Sequence, residues 1–296
     1  MFIRKQLFRR VAIIGPGFMG ASLGLAIKKK GLAKEIIGIG RHEASLREAS
    51  AVGAIDENTM DLKKGVNGAD LIVLATPVNA IVDVLEILGK EFRRNAIVTD
   101  IGSTKSTIVE RAEKVLHHSV LFVGSHPLVG SEKKGPAHAN ATVYEGGMCV
   151  MTPTDKTNRL AKEKIKHFWS LLGCSVKMMD PQEHDESLAY ISHLPHLAAF
   201  ALMKAMPENC LELAPQGLKD TTRIAASDPE IWRDIALSNH RYILKAIDEN
   251  VKALSAIRKA IVTRDQAALT DMFKQAKIKR ERLDKDHGSQ PLDRNA

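Results

Sequence analysis

Short aliphatic and β-branched runs recur through the first half of the chain, separated by segments whose apolar residues follow helical spacing. Val11–Ile14 reads as a buried strand and Ala21–Lys30 as a helix. Ile36–Ile39, Leu71–Ala75, Ala96–Asp100 and Leu121–Val123 read as further strands, with helical patterns at Ile81–Lys90 and Thr104–Val115 between them. Strands alternating with helices imply a parallel, doubly wound sheet covered by helices on both faces. From about Pro181 the β-runs vanish. "HLAAFALMKAM", "IWRDIALSNHRYILKAIDENVKALSAIRKAIV" and "QAALTDMFKQAKIKRERL" all read as long helices. The expected fold class is therefore an α/β domain over 1–180 followed by an all-α helical domain over 181–284. The tail 285–296 carries no apolar face and reads as disordered.

Local signals sharpen two helix starts. Asp180-Pro181-Gln182-Glu183 combines a cap, a first-turn proline and the acid of a capping box. Ser227 and Glu230 suggest a second capping box. The helix opened at Asp180 should run through Ile191. There Pro195 cannot donate to the Ile191 carbonyl and crowds it, so the helix kinks or is rebuilt. Ser192, His193 and His196 surround that break. A metal site, histidines packed in a core, and a ligand-holding kink are the competing readings. No third ligand stands at a recognisable spacing, so no metal is expected.

Charge changes the picture modestly. Lys and Arg outnumber Asp and Glu by 43 to 35, a formal net charge of +8. Much of the excess lies at the chain ends and in "IKKK", which describes a solvated basic surface, or a field that draws anionic small molecules. Aromatic residues make up only 4% of the chain, too few platforms for stacking bases, so no nucleic-acid partner is expected. Cys149, Cys174 and Cys210 are odd in number and form no CxxC, which speaks against a disulfide framework or structural zinc. No run approaches a membrane span, and the basic N-terminus lacks the long apolar core of a signal peptide. A cytoplasmic location without a membrane partner is expected.

The first strand runs into Gly15-Pro16-Gly17-Phe18-Met19-Gly20 and then a helix. GxGxxG is a weak signal alone, but between a strand and a helix it is a dinucleotide fingerprint of the Rossmann type. The first glycine allows the turn, the second admits the pyrophosphate, and the third lets helix and strand pack closely. The free N–H groups of the helix then face the phosphates. NAD selectivity rests on an acid at the end of the second strand, where this chain has Gly40 followed by Arg41. The missing carboxylate and the arginine tolerate a 2′-phosphate, so NAD(P)+ is expected, leaning to NADP or dual use. Thr76-Pro77 ends the third strand and should lie along the cofactor.

Two strand ends carry the candidate chemistry: Asp100–Lys105 and Gly124–Glu132. Oxidising an alcohol by hydride transfer needs a group to take the hydroxyl proton, and His126 has the right pKa range for it. Ser103 can bond the same hydroxyl or orient the imidazole. Arg223, in "KDTTRIAASDPEIWRD", suits a carboxylate held by two parallel hydrogen bonds, or an ion pair with Asp220.

Together "GPGFMGASLG", "TDIGSTKS", "GSHPLVGSEKKGP", "SHLPH" and "KDTTRIAASDPEIWRDI" resemble the prephenate dehydrogenase family, which includes arogenate and cyclohexadienyl dehydrogenases. The likeness runs from about Val11 to Arg282. It implies a Rossmann domain and a helical domain that forms a homodimer, with prephenate or arogenate as small-molecule substrate and tyrosine biosynthesis as the context. It implies that His126 engages the 4-hydroxyl, with Ser103 beside it as the second catalytic residue. Ser192, His193 and His196 would shape and bind the substrate, and Arg223 would meet a carboxylate. Glu132 would stand at the pocket mouth, in an ionic cluster with Arg223 and Asp220. Of the two, prephenate is the expected substrate, because His196 can donate to a keto acid's carboxylate, with arogenate as the alternative. From the chain's length, no fused mutase or tyrosine-sensing domain is expected. A β-hydroxyacid dehydrogenase would need a catalytic lysine on its helical domain, and a dinucleotide sensor would not need His126, Ser103 and Arg223 together.

Overall fold

The computed structural model describes residues 6–130 and 133–286. The first half builds β1 (Phe8–Ile14), α1 (Phe18–Lys30), β2 (Ala33–Ile39), α2 (Glu43–Ala51), β3 (Glu57–Thr59) and α3 (Leu62–Val66). It continues through β4 (Leu71–Leu74), α4 (Val78–Leu88), β5 (Ile97–Asp100), α5 (Ser106–Val115) and β6 (Leu121–Val123). The strands pair in parallel in the order β3-β2-β1-β4-β5-β6. The doubly wound Rossmann sheet expected from the alternating pattern is therefore present. Its apolar runs are explained by burial on both faces. Along β1, Val11 and Ile13 join one core, while Ala12 and Ile14 join the other. Leu71 and Val73 of β4 divide from Ile72 and Leu74 in the same way. The chain leaves β3 at the sheet edge and re-enters beside β1 as β4. The strand order thus reverses between β1 and β4, where a crevice opens at their carboxyl ends.

A second sheet has no counterpart in the sequence reading. It contains β7 (Ser125–Pro127), β8 (Met148–Met151) and β9 (Ser175–Met178), with α6 (Arg159–Leu171) between the last two. One residue, Gly124, separates β6 from β7. His126 is therefore a strand residue opposite Val150, not part of a loop at the end of β6.

The helical part follows as α7 (Pro181–Leu188), a π-helical turn (Ala189–His193), α8 (Leu194–Ala205), α9 (Gln216–Thr222) and a 3₁₀ turn (Arg223–Ala226). Then come α10 (Pro229–Ser238), α11 (His240–Val262) and α12 (Gln266–Asp286). Asp180 caps α7 as expected, its carboxylate accepting from the amides of Gln182 and Glu183 at 2.7 and 3.4 Å. The cap of α10 is Asp228 rather than Ser227, with Pro229 in the first turn; Asp228 accepts from Glu230 and Ile231 at 2.8 and 3.3 Å. The helix is rebuilt before Pro195 as a π turn, which removes the need for the missing N–H without a sharp break. The long helix expected from Ile231 to Val262 is interrupted at Asn239.

Packing divides the chain into two compact units, one through Ile243 and the other from Leu244 onward. In the first, α7 to α10 pack with the Rossmann elements: Thr104 and Ser238 hydroxyls meet at 3.1 Å, and the Ser106 hydroxyl donates to the Pro181 carbonyl at 3.1 Å. The second consists of the greater part of α11 together with α12. Val251, Leu254, Ile261, Phe273 and Ile278 on these helices are each more than half exposed. The expected tail overlaps the end of α12, and residues 287–296 lie outside the described residues.

Candidate functional site

The glycine loop has the backbone of a candidate phosphate cradle. Gly15 adopts φ +87°, a conformation that disfavours side chains, and a Cβ on Gly20 would collide with the Gly15 carbonyl. A Cβ on Gly17 would meet nothing within 4 Å, so the backbone there is open to a ligand. Gly17 occupies the N-cap of α1 without a side-chain cap. The first amides of that helix therefore lack intrahelical partners. A hollow of about 370 Å³ begins here, bordered by Gly17, Phe18, Met19, Thr76, Pro77 and Ser103. The Thr76 hydroxyl is buried and has no hydrogen-bond partner among the described residues. Open backbone, free amides and an unsatisfied hydroxyl fit a dinucleotide. Arg41 is exposed and borders neither this hollow nor the next.

A second hollow, about 430 Å³, adjoins the first and shares Met19 and Ser103 with it. His196, Arg223, Ser227 and Trp232 supply its far wall. The His196 ring stacks on Trp232 at 3.8 Å between centroids, and its Nδ1 bonds the Ser192 carbonyl at 2.9 Å. Ser192 thus fixes His196 through its backbone. Lys134, which borders both hollows, reaches Asp228 at 2.7 Å. Asp220 accepts from Gln216 at 2.8 Å. Glu132 lies outside the described residues.

Around the Ser103 loop lies a buried polar cluster that sequence reading missed. Lys105 and Asp100 form an ion pair with both side chains fully buried. The Lys105 ammonium also donates to the Ser125 carbonyl at 2.9 Å. Asp100 accepts from the amides of Gly102 at 2.9 Å and Ser125 at 3.2 Å. One carboxylate thus fastens the Ser103 loop to the strand bearing His126. His126 Nδ1 lies 2.8 Å from His184 Nε2, and His184 Nδ1 lies 2.8 Å from Asp185 Oδ1. The amides of Lys105 and Ser106 donate to Asp185 at 2.7 and 2.9 Å.

Electrostatics follow from this packing. Burial pushes the His126 pKa well below the ordinary histidine value, and His184, Lys105 and His193 push the same way. His193 is pushed down to about 4, chiefly by burial. Both rings are neutral near pH 7. Asn239 donates to the Asp185 carbonyl at 2.7 Å, which orients its amide so that the same nitrogen donates to His193 Nδ1 at 3.1 Å. His193 must then carry its proton on Nε2, and that buried nitrogen has no partner among the described residues. The helix break at Asn239 is what aims this amide inward. The missed residues left faint signals: an acid closing strand five, a lysine in "GSTK", and adjacent His184-Asp185 in "EHDE".

Comparison with known proteins identifies the family. The model of the prephenate dehydrogenase nucleotide-binding domain matches residues 23–178, and that of the prephenate dehydrogenase dimerization domain matches 180–275. The chain belongs to the prephenate dehydrogenase family. It is 36% identical to a prephenate dehydrogenase of Bacillus subtilis, over 94% of this chain and 77% of that one. It is 30% identical to a cyclohexadienyl dehydrogenase of Zymomonas mobilis, over 96% of this chain and 99% of that one. The crystal structure of Aquifex aeolicus prephenate dehydrogenase with hydroxyphenyl propionate and NAD+ superposes with a TM-score of 0.86. Identity is 35%, covering 93% of this chain and 98% of that one. Family and fold class are those expected from the sequence.

Proposed function

We propose that this member of the prephenate dehydrogenase family oxidises the ring alcohol of prephenate while the ring carboxylate leaves as CO₂, in tyrosine biosynthesis. The observation that carries the reading is a half-buried, neutral His126 whose strand is tied through Asp100 to the Ser103 loop, and Ser103 borders two joined hollows. One hollow suits a dinucleotide, and the other presents Arg223 and His196. When bound, the nicotinamide supplies the hydride acceptor. His126 takes the hydroxyl proton as the carbon–hydrogen bond breaks, and Ser103 holds the same oxygen. The electron pair of the carbon–carboxylate bond enters the ring, which becomes aromatic. His126 returns the proton to the phenolate oxygen, giving 4-hydroxyphenylpyruvate with no net proton released. Arg223 and His196 hold a carboxylate, while Ser192 and His193 shape the wall. Glu132 is assigned to the pocket mouth on the family resemblance alone.

The cofactor is NAD(P)+, and Gly40-Arg41 favours NADP or dual use because no carboxylate opposes a 2′-phosphate. Gly15, Gly17, Phe18, Met19, Gly20, Thr76 and Pro77 would hold its diphosphate and nicotinamide side. Division into a dinucleotide domain (1–180) and a helical domain (181–284) is supported by the boundary of the two family matches. The exposed apolar residues of α11 and α12 support a homodimer. Among the described residues no helix is long and apolar enough to cross a membrane, and we place the enzyme in the cytoplasm.

The deciding experiment is the initial rate of reduced-nicotinamide formation with prephenate and with arogenate, each with NAD+ and NADP+. Turnover of prephenate is the expected result, and the cofactor ratio reports on Gly40-Arg41. No turnover of either substrate would overturn the reading. Arg223→Ala should raise the KM for prephenate about tenfold, the value of one charge-assisted hydrogen bond at a partly solvated site. An unaltered KM removes Arg223 from the carboxylate site.

A further inference from the structure

We propose that His184 and Asp185 form a positioning relay that locks His126 in the tautomer with its proton on Nδ1, leaving Nε2 as the base. The inference rests on the assignment of His126 as the group that takes the hydroxyl proton.

The chain of hydrogen bonds has only one consistent set of donors. Asp185 receives amide N–H groups from Lys105 and Ser106 at 2.7 and 2.9 Å, at the start of α5. Burial opposes its ionisation, but the hydrogen bonds from His184, Ser106 and the Lys105 amide outweigh this and hold its pKa below the ordinary value. A carboxylate is an acceptor only. His184 Nδ1, 2.8 Å away, must therefore carry a proton. Burial lowers the pKa of His184 despite its acidic neighbour, so the ring is neutral and its Nε2 is bare. His126 Nδ1, 2.8 Å from that nitrogen, must donate. The other nitrogen of a neutral His126 then has a free lone pair.

Without such a partner a histidine ring prefers the opposite tautomer, with Nε2 protonated and useless as a base. The surroundings also limit how His126 can respond. His184 faces it from α7, Lys105 from the β5–α5 loop and His193 from the π turn. From β8, Cys149 approaches its backbone with a thiol that burial keeps protonated. His184 is in turn surrounded by Asp185, Lys105 and Asp100. No acceptor other than His184 is hydrogen-bonded to His126 Nδ1 among the described residues. When His126 becomes an imidazolium, its Nδ1 proton is shared with a neutral ring backed by a carboxylate. The cation is thus stabilised without a full negative charge at contact distance. It remains acidic enough to return the proton to the phenolate.

The test reads the tautomer directly. The protein holds eleven histidines, and long-range ¹H–¹⁵N NMR of the ¹⁵N-histidine-labelled protein near pH 7.5, with His126→Gln to assign the signal, should show His126 protonated on Nδ1. An Nε2–H tautomer or an imidazolium would overturn the proposal. In kinetics, His184→Leu should lower kcat about 100-fold, within the range for a misaligned general base, with the KM for prephenate changed less than about threefold. His184→Gln, whose amide oxygen can accept from Nδ1, should recover to within about tenfold of wild type. A kcat unaffected by His184→Leu, or a Gln variant no better than Leu, would reduce His184 to a structural residue. If the leucine variant fails to fold, the wild-type tautomer still decides. If neither prephenate nor arogenate is oxidised, the functional reading fails, while the tautomer measurement still judges the relay.

Discussion

Replacing His126 by asparagine is expected to cut turnover by about 10³-fold while nicotinamide affinity changes less than about twofold. Asparagine is close in size to the near half of the imidazole, so it can fill the space beside His184. It can accept a hydrogen bond from the substrate hydroxyl but cannot take its proton. The step then depends on water, and the base's contribution disappears. Dinucleotide affinity should survive because that hollow is bordered by Gly17, Phe18, Thr76 and Pro77, and His126 is absent from its walls. Steady-state kinetics with prephenate, together with a fluorescence titration of the reduced dinucleotide, separates the two effects. Retention of wild-type turnover would remove His126 from the chemistry. Parallel loss of cofactor binding would show a collapsed strand instead.

The largest stability effect is expected at Lys105. Lys105→Met keeps the length of the stem and removes the charge, leaving Asp100 buried without a counter-ion. The Ser125 carbonyl, which accepts from the ammonium at 2.9 Å, loses its donor as well. Breaking one side of a buried pair typically costs about 3–5 kcal/mol, because the remaining charge stays desolvated. Asp100 retains two amide donors, from Gly102 and Ser125, so the lower part of that range is expected. The double variant Asp100→Asn with Lys105→Met should recover part of the loss, since no lone charge remains, although the asparagine NH2 then faces one of the Gly102 and Ser125 amides. Urea titration of the wild type, both single variants and the double variant completes the cycle. A loss below about 1 kcal/mol for Lys105→Met would mean that the pair does not hold the two loops together.

What was legible in the sequence is what local physics dictates. Val11–Ile14 and Leu71–Leu74 read as buried strands because each residue must be apolar when both faces are covered. Gly15 and Gly20 declared the cradle because a side chain is disfavoured by the backbone angle at the first and by a collision at the second. Pro195 announced a disturbed helix because its ring cannot fit a regular turn. Residue type and position along the chain also nominate His126, Ser103, Arg223 and the histidines of "SHLPH" as candidates, while their roles come from the family resemblance. Those readings required only neighbours in sequence or a two- or three-way periodicity.

What only the tertiary structure decided is which groups act on one another. His126 and His184 stand 58 residues apart in sequence, and the amides that hold Asp185 come from Lys105 and Ser106 on the far side of β6 to β9. The short strand β7 was invisible because three residues give too little pattern, yet it is the element that carries His126, opposite Val150. Asn239 looked like a helix interior position and proved to be a break, because two buried acceptors, the Asp185 carbonyl and His193 Nδ1, claim its amide. The sequence assigned Lys105 no role of its own; packing encloses it with Asp100. A side chain's type is written in the chain, whereas its protonation state depends on burial and on hydrogen-bond partners that folding brings from elsewhere.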